Sequence, residues 1–186
     1  MSEVMTHLRD KSPEDVIITN GAGNYSIWVH RYWRFRHYGS QVAPTSGSMG
    51  YGLPAAVAAG LRRPEKRVFC FAGDGCLQMT IQELAVLAEH KLKVTVFVVD
   101  NGAYGTIRMH QERHYPSRLS ATELVNPDFG DLARAYGLPA FSVTHSDQFP
   151  AALAAALNID GPSMIHLRTS IEALTPTLTL ASARKG

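Results

Sequence analysis

The sequence predicts an α/β fold, a parallel sheet flanked by helices, and three observations carry that prediction. Short β-branched and aromatic runs alternate with longer segments of helical period, as in stacked βα units. Two of the runs, Arg67–Ala72 and Val94–Val99, are almost continuously apolar, which suits central strands covered on both faces. The first three runs each end in glycine or a short polar residue, the composition of strand ends that open onto a ligand crevice. At 186 residues, with 45% apolar and 18% charged residues, the chain is expected to form one domain with a full core.

From the N-terminus, Met1 to Lys11 has no basic start, apolar run and small-residue cleavage site, and no stretch reaches the ~20 apolar residues of a membrane span. The expectation is a soluble, cytoplasmic protein. A strand at Val16–Thr19 leads through Asn20-Gly21-Ala22-Gly23-Asn24 into a helix at Tyr25–Trp33, and a second helix is read at Leu53–Leu61. The strand Arg67–Ala72 ends in Gly73-Asp74-Gly75 and precedes a helix at Leu77–His90; the strand Val94–Val99 ends in Asp100-Asn101-Gly102-Ala103 and precedes a helix at Tyr104–Glu112. A helix at Phe129–Tyr136 has a capping side chain at Asn126, a proline at its first position, Pro127, and a left-handed stop at Gly137. A strand at Ala140–Val143, an alanine-rich helix at Phe149–Leu157 and a strand at Met164–Arg168 follow. The tail after Thr169, interrupted by Pro176 and ending in Arg184-Lys185-Gly186, reads as an extended or frayed terminus.

A net charge of +2 argues against nucleic acid or an anionic membrane as the main partner. Two cysteines, Cys70 and Cys76, without a CxxC pair support neither a disulfide framework nor a zinc site. Glycine-rich strand ends let backbone N–H groups approach a phosphate, and a helix N-terminus adds positive potential there. Between Gly21 and Pro64 there is no acidic residue to hold a ribose, the first loop lacks the third glycine of GxGxxG, and GxxxxGK[ST] is absent. What remains is a hard-cation arrangement, with the carboxylate of Asp74 and the amide oxygen of Asn101 at the ends of neighbouring strands, suited to Mg2+ bridging protein and diphosphate.

Gly73-Asp74-Gly75, followed 27 residues after Asp74 by Asn101, resembles the GDG…NN signature of thiamine diphosphate enzymes. The segments Ser46-Gly47-Ser48-Met49-Gly50-Tyr51-Gly52-Leu53-Pro54-Ala55-Ala56 and Met79-Thr80-Ile81-Gln82-Glu83-Leu84 are similar to those of the acetolactate synthase type, and the likeness runs from about Pro13 to Pro176. The resemblance implies a thiamin diphosphate-binding fold that takes thiamine diphosphate and Mg2+. It assigns the side chains of Asp74 and Asn101 and the carbonyl of Ala103 to the metal. Backbone groups near Gly73, Gly75 and Cys76, and at Tyr104, Gly105 and Thr106, would hold the diphosphate. Gly23, Asn24 and Tyr25 stand where the family often has Gly-Gln-His. Gly47, Ser48 and Met49 would meet the aminopyrimidine, with the Met49 side chain wedged under the bent cofactor. The first asparagine of the family pair is Asp100 here; it either adds charge to the site or ends the strand.

The same resemblance implies an enzyme acting on 2-oxoacids, decarboxylating with carboligation as acetolactate synthase does. The alternatives are a subunit of a simple 2-oxoacid decarboxylase or a non-catalytic module that kept the fold. In the family an essential glutamate lies on a separate pyrimidine-binding domain. Glu3, Glu14, Glu65, Glu83, Glu89, Glu112, Glu123 and Glu172 all read as helix-surface, loop or capping positions. A chain without that domain is expected to be inactive alone and to work in a homo- or hetero-oligomer, as a natural small subunit or as the C-terminal third of a longer polypeptide. A flavin, held by another domain in part of the family, is not expected.

Other residues have plainer readings. His30-Arg31-Tyr32-Trp33-Arg34-Phe35-Arg36-His37-Tyr38 mixes bases with aromatics, which fits a protein interface better than a nucleic-acid surface. His110, on a helix expected to face the site, His114 and His145 read as solvated or hydrogen-bonded, Cys70 as core, and Cys76 as a small residue in the diphosphate loop.

Overall fold

Why the chain layers as it does follows from side-chain alternation along buried strands. The computed structural model describes residues 1–185. The chain runs α1 (Ser2–Lys11), β1 (Ile17–Asn20), α2 (Asn24–Tyr32), β2 (Gln41–Val42), α3 (Gly52–Arg62), β3 (Val68–Gly73), α4 (Asp74–Gln78), a 3-10 turn (Ile81–Glu83), α5 (Leu84–Glu89), β4 (Val94–Asp100) and α6 (Gly105–His114). It continues through α7 (Phe129–Ala135), β5 (Ala140–Val143), α8 (Phe149–Leu157), β6 (Ser163–Arg168), β7 (Ala173–Thr175), β8 (Leu178–Thr179) and α9 (Leu180–Ala183). Strands β1 to β6 make one parallel sheet in the order β2-β1-β3-β4-β6-β5.

Every residue of β3 and β4 is buried. Phe69, Phe71, Phe97, Val99, Ile165 and Leu167 face α1, α2 and α8. Cys70, Val94, Val96, Val98 and Met164 face α3, α5 and α7. Burial pushes the Cys70 thiol up to about 12, as expected of a core cysteine. The strand order reverses between β1 and β3, so the carboxyl ends of β1, β3 and β4 open a crevice on one edge, where ligands of such sheets sit.

The α/β class and all five expected strands are present, displaced by at most a residue at their ends. Four features differ. The helix expected over Leu77–His90 is broken, because the Thr80 hydroxyl donates to the Gly50 carbonyl (2.9 Å) and the chain turns there to meet the loop before α3. The N-terminal stretch forms α1, which buries Val4, Met5 and Leu8 along one stripe. Helix α7 is capped by Asp128, whose carboxylate accepts from the Asp131 N–H (2.9 Å), and not by Asn126; its stop at Gly137, φ +83°, is as expected. The tail is not frayed: two short strands, β7 and β8, and the helix α9 pack Leu174, Leu180 and Ala183 against Met109 of α6, while Gly186 lies outside the described residues.

That tail overturns one expectation about the glutamates. Glu112 is fully buried: its carboxylate accepts from Arg184 (2.8 Å) and from the Ser117 N–H (3.1 Å), with Arg108 at 3.5 Å. The Arg184 hydrogen bond, and then that of Ser117, hold the carboxyl down at about 2. A depressed carboxylate stabilises the fold fully above its unfolded pKa of 4.5 and loses that contribution as pH falls towards 2. In urea unfolding, Glu112→Gln is therefore expected to lower the midpoint at pH 7, and the gap to the parent should close between pH 4.5 and 2; a pH-independent gap would contradict this role. Among the described residues no helix is long and apolar enough to cross a membrane.

Candidate cofactor-binding site

Three βα turns and the loop before α3 converge on one cleft at the carboxyl edge of the sheet. Of the residues expected there, Gly23, Asn24, Tyr25, Gly47, Met49, Gly73, Asp74, Gly75, Cys76, Asn101, Ala103, Tyr104, Gly105 and Thr106 line it. Ser48 does not: it is exposed, and its hydroxyl pairs with Ser46 at 2.8 Å. Trp28, Val99, Ile107, Thr169 and Leu174 also line it and were not foreseen, Leu174 because it belongs to the tail. His110 points away from the cleft, exposed and stacked on His114.

Each wall has a local cause. At the β4–α6 turn, Gly102 takes φ +69°, a conformation few other residues tolerate, and the turn is clipped by segment 122–124: Tyr104 N–H donates to the Thr122 carbonyl and Leu124 N–H to the Gly102 carbonyl, both at 2.9 Å. This sets Gly105, Thr106 and Ile107, at the start of α6, on the wall of the cleft. Gly75 must lack a side chain, since a Cβ there would lie 2.5 Å from the Tyr104 ring. Across the cleft, the Thr106 hydroxyl donates to Asn24 Oδ1 (2.9 Å) and accepts from the Asn24 N–H (3.0 Å), joining the starts of α2 and α6. Beneath them the Tyr25 hydroxyl donates to Cys76 Sγ (3.2 Å), which also accepts from the Gly50 N–H (3.1 Å). Burial raises the Tyr25 phenol well above its ordinary range, so it stays a neutral donor.

Asp74 and Asp100, 3% and 7% exposed, face each other at the ends of β3 and β4. The Gly102 N–H donates to Asp74 Oδ2 (2.9 Å) and Asp100 Oδ1 (3.0 Å), and the Asn126 amide donates to the same two oxygens, both at 2.8 Å. His166 Nε2 reaches Asp100 Oδ2 at 2.8 Å. Burial, aided by the neighbouring Asp100 carboxylate, raises Asp74 to about 6. Burial also works against ionised Asp100, but the hydrogen bonds from His166 and Asn126 outweigh it and hold Asp100 at about 2. The better-bonded carboxylate thus keeps its charge, and Asp74 is the anion left wanting a cation. Asp100 therefore does more than end a strand: it is a bonded anchor.

A hard cation fits this donor set. Asp74 offers a carboxylate, Asn101 an amide oxygen that accepts only the Ala103 N–H (3.1 Å), and the Ala103 carbonyl takes no backbone partner among the described residues. No cluster of three or more His, Cys, Asp or Glu side chains is placed to bind a metal among those residues, so a softer N/S-ligated ion has no comparable site.

Comparison with known proteins decides the family. Residues 21–167 match the thiamine pyrophosphate enzyme, C-terminal TPP binding domain. The chain belongs to this family. As a TPP-binding domain it is 35% identical over 166 residues to the acetolactate synthase isozyme 2 large subunit of Escherichia coli (strain K12), an overlap of 88% of this chain and 30% of that protein. It is 38% identical over 170 residues to the acetolactate synthase large subunit of Parasynechococcus marenigrum (strain WH8102), covering 89% of this chain and 27% of that one. The TPP-binding domain thus spans under a third of the length of these relatives. Among solved structures, the thiamine diphosphate-dependent 4-hydroxybenzoylformate decarboxylase of Rhodococcus jostii RHA1 superposes with a TM-score of 0.85 at 31% identity, over 91% of this chain and 32% of that one. Benzoylformate decarboxylase from Polynucleobacter necessarius, TM-score 0.86 at 23% identity over 92% and 33%, shows the shared fold.

Asn126, Gln78 and His166, which bond the two carboxylates or each other, are also residues that sequence reading missed. Asn126 carries the signature of a helix cap, and His166 sits inside an apolar strand where nothing local marks its partner, Asp100, across the sheet. The available signal was the unusual aspartate itself, a buried charge in need of donors.

Proposed function

We propose that this domain holds the diphosphate of thiamine diphosphate through Mg2+ and, together with a pyrimidine-binding domain on the same or another chain, forms an enzyme that decarboxylates a 2-oxoacid with carboligation, in the manner of acetolactate synthase. The observation that carries this reading is the meeting of Asp74, Asn101 and the Ala103 carbonyl beside the N-terminus of α6 in one cleft. These three groups would take the cation. The N–H groups at the start of α6 would take diphosphate oxygens, where the helix dipole favours negative charge.

Met49 and Gly47 line the same cleft beyond the diphosphate end, so the thioether would support the cofactor from below and the Gly47 carbonyl would orient its aminopyrimidine. When bound, the cofactor supplies a nucleophilic carbon and an electron sink for decarboxylation. The protein's own work is to fix the diphosphate, to keep the apolar wall of Trp28, Val99 and Leu174 dry around it, and to leave the far side open for the pyrimidine domain. No glutamate among the described residues lines the cleft, so that other domain would have to supply the acid–base group the cofactor needs.

Greater likeness in sequence to acetolactate synthases supports carboligation; the match to the Rhodococcus decarboxylase at 31% identity supports a simple decarboxylase as the second reading. Calorimetric titration of the purified chain with thiamine diphosphate, with and without Mg2+, tests the binding. Heat that depends on both components is expected. A folded chain that binds neither alone nor with an added pyrimidine domain would sink the proposal. Product analysis of the reconstituted enzyme fed pyruvate, an acetohydroxy acid against a free aldehyde, then separates the two chemistries.

A further inference from the structure

Gly47 and Met49 reach the cleft from a loop with little support of its own. Residues 45–48 are exposed, and the hydroxyls of Ser46 and Ser48 bond each other rather than the body of the domain. The loop is held where it re-enters the fold, at buried Gly50, which turns with φ +78°. Both backbone groups of Gly50 go to side chains of one segment: its N–H donates to Cys76 Sγ (3.1 Å), and its carbonyl accepts from the Thr80 hydroxyl (2.9 Å). Cys76 belongs to α4, whose first residue is Asp74.

The sulfur is itself held in place. The Tyr25 ring fills a gap that three glycines leave open: a Cβ on Gly23 would lie 2.7 Å and one on Gly73 3.0 Å from the ring, and one on Gly21 would lie 2.9 Å from the phenol oxygen and 2.5 Å from Sγ. So seated, the phenol gives its hydrogen to Sγ (3.2 Å). Two donors from different loops thus converge on one acceptor. Building on the thiamine diphosphate reading above, we propose that Cys76 is a positioning residue: it ties the loop bearing Gly47 and Met49 to the turn bearing Asp74, and so fixes the spacing between the pyrimidine end and the diphosphate end of the site. Tyr25 and Thr80 support it from either side. A ligand that spans both ends feels that spacing, because an end already in place costs nothing to order on binding. A ligand that meets the diphosphate end alone does not.

The test is calorimetric titration of the full chain, in Mg2+, with thiamine diphosphate and separately with inorganic diphosphate, on the parent, Cys76→Ala and Cys76→Ser. The ratio of the two affinities, thiamine diphosphate over diphosphate, is expected to fall about 3- to 10-fold in Cys76→Ala, the range one hydrogen bond commands, and to recover in part in Cys76→Ser, whose hydroxyl can accept again. A merely structural role would weaken both ligands alike and leave the ratio unchanged, and that result overturns the inference. Should Cys76→Ala fail to fold, Thr80→Val, which frees the other side of Gly50 and lies off the diphosphate turn, must lower the same ratio; an unchanged ratio again overturns it. A parent that binds both ligands equally gains nothing from the Gly47–Gly50 loop, which overturns the inference and leaves the diphosphate reading standing. A parent that binds neither defeats that reading itself.

Discussion

Asp74→Asn is expected to abolish magnesium-dependent binding of thiamine diphosphate while leaving the protein at least as stable as its parent. Both halves of that result follow from one fact, that Asp74 is a buried carboxylate raised to about 6 by burial and by the adjacent Asp100. A group whose folded pKa lies above its unfolded value of 3.8 binds more protons in the fold than in the unfolded chain, so stability falls as pH rises from about 4 to about 6. At neutral pH the parent therefore holds an ion that the empty fold disfavours. An amide of the same shape relieves that cost, still accepts from the Gly102 N–H, and removes the charge that would draw in a divalent cation. Calorimetry should show the binding heat gone, and urea unfolding at pH 7 should show a midpoint equal to or above the parent's. A variant that binds like the parent would remove Asp74 from the site; one that unfolds early would mean that the carboxylate is structural.

Phe97→Ala is the substitution expected to damage the fold most. The ring is fully buried at the centre of the sheet, stacked on Phe71 at 4.8 Å and met edge-on by Phe69 at 5.2 Å, with Phe149 of α8 lying over it. Removing a ring from such a site leaves a cavity that rigid neighbours cannot close and costs about 3–5 kcal/mol. Against a total stability of about 5–15 kcal/mol for an ordinary domain, that is a large share. Equilibrium urea unfolding measures it as a lower midpoint at unchanged slope, and a loss below about 1 kcal/mol would mean that the cluster repacks.

Such centres were legible from sequence because covered strands must be apolar along their whole length, and the runs around Phe69 and Phe97 have no other reading. The three strand-end turns were legible for a similar reason: glycine beside aspartate or asparagine has few uses there. Where the sequence misled, a residue type served two purposes. Asn126 has the chemistry of a cap, but its amide answers two carboxylates from distant strands, and only the fold brings them together. Thr80 and Gln78 are acceptable inside a helix, yet each bonds a remote loop, so the helix stops between them and Leu84. Glu112 has the composition of an exposed helix residue, and its burial depends on a tail whose own pattern, with Pro176 in its middle, suggests no structure. Local chemistry pointed to residues that the fold brings to one cleft; the partners that orient them came from tertiary contacts.

The bond pair between Asn24 and Thr106 joins residues 82 positions apart. No fragment of the chain can hold the cleft before the β1, β3 and β4 ends have been brought into register. Ligand binding is thereby linked to the whole folding equilibrium and not to a local loop. A ligand present at a hundred times its dissociation constant adds about 2.7 kcal/mol to global stability. In a cell, cofactor supply would then govern how much of this protein survives proteolysis as well as how much of it is loaded.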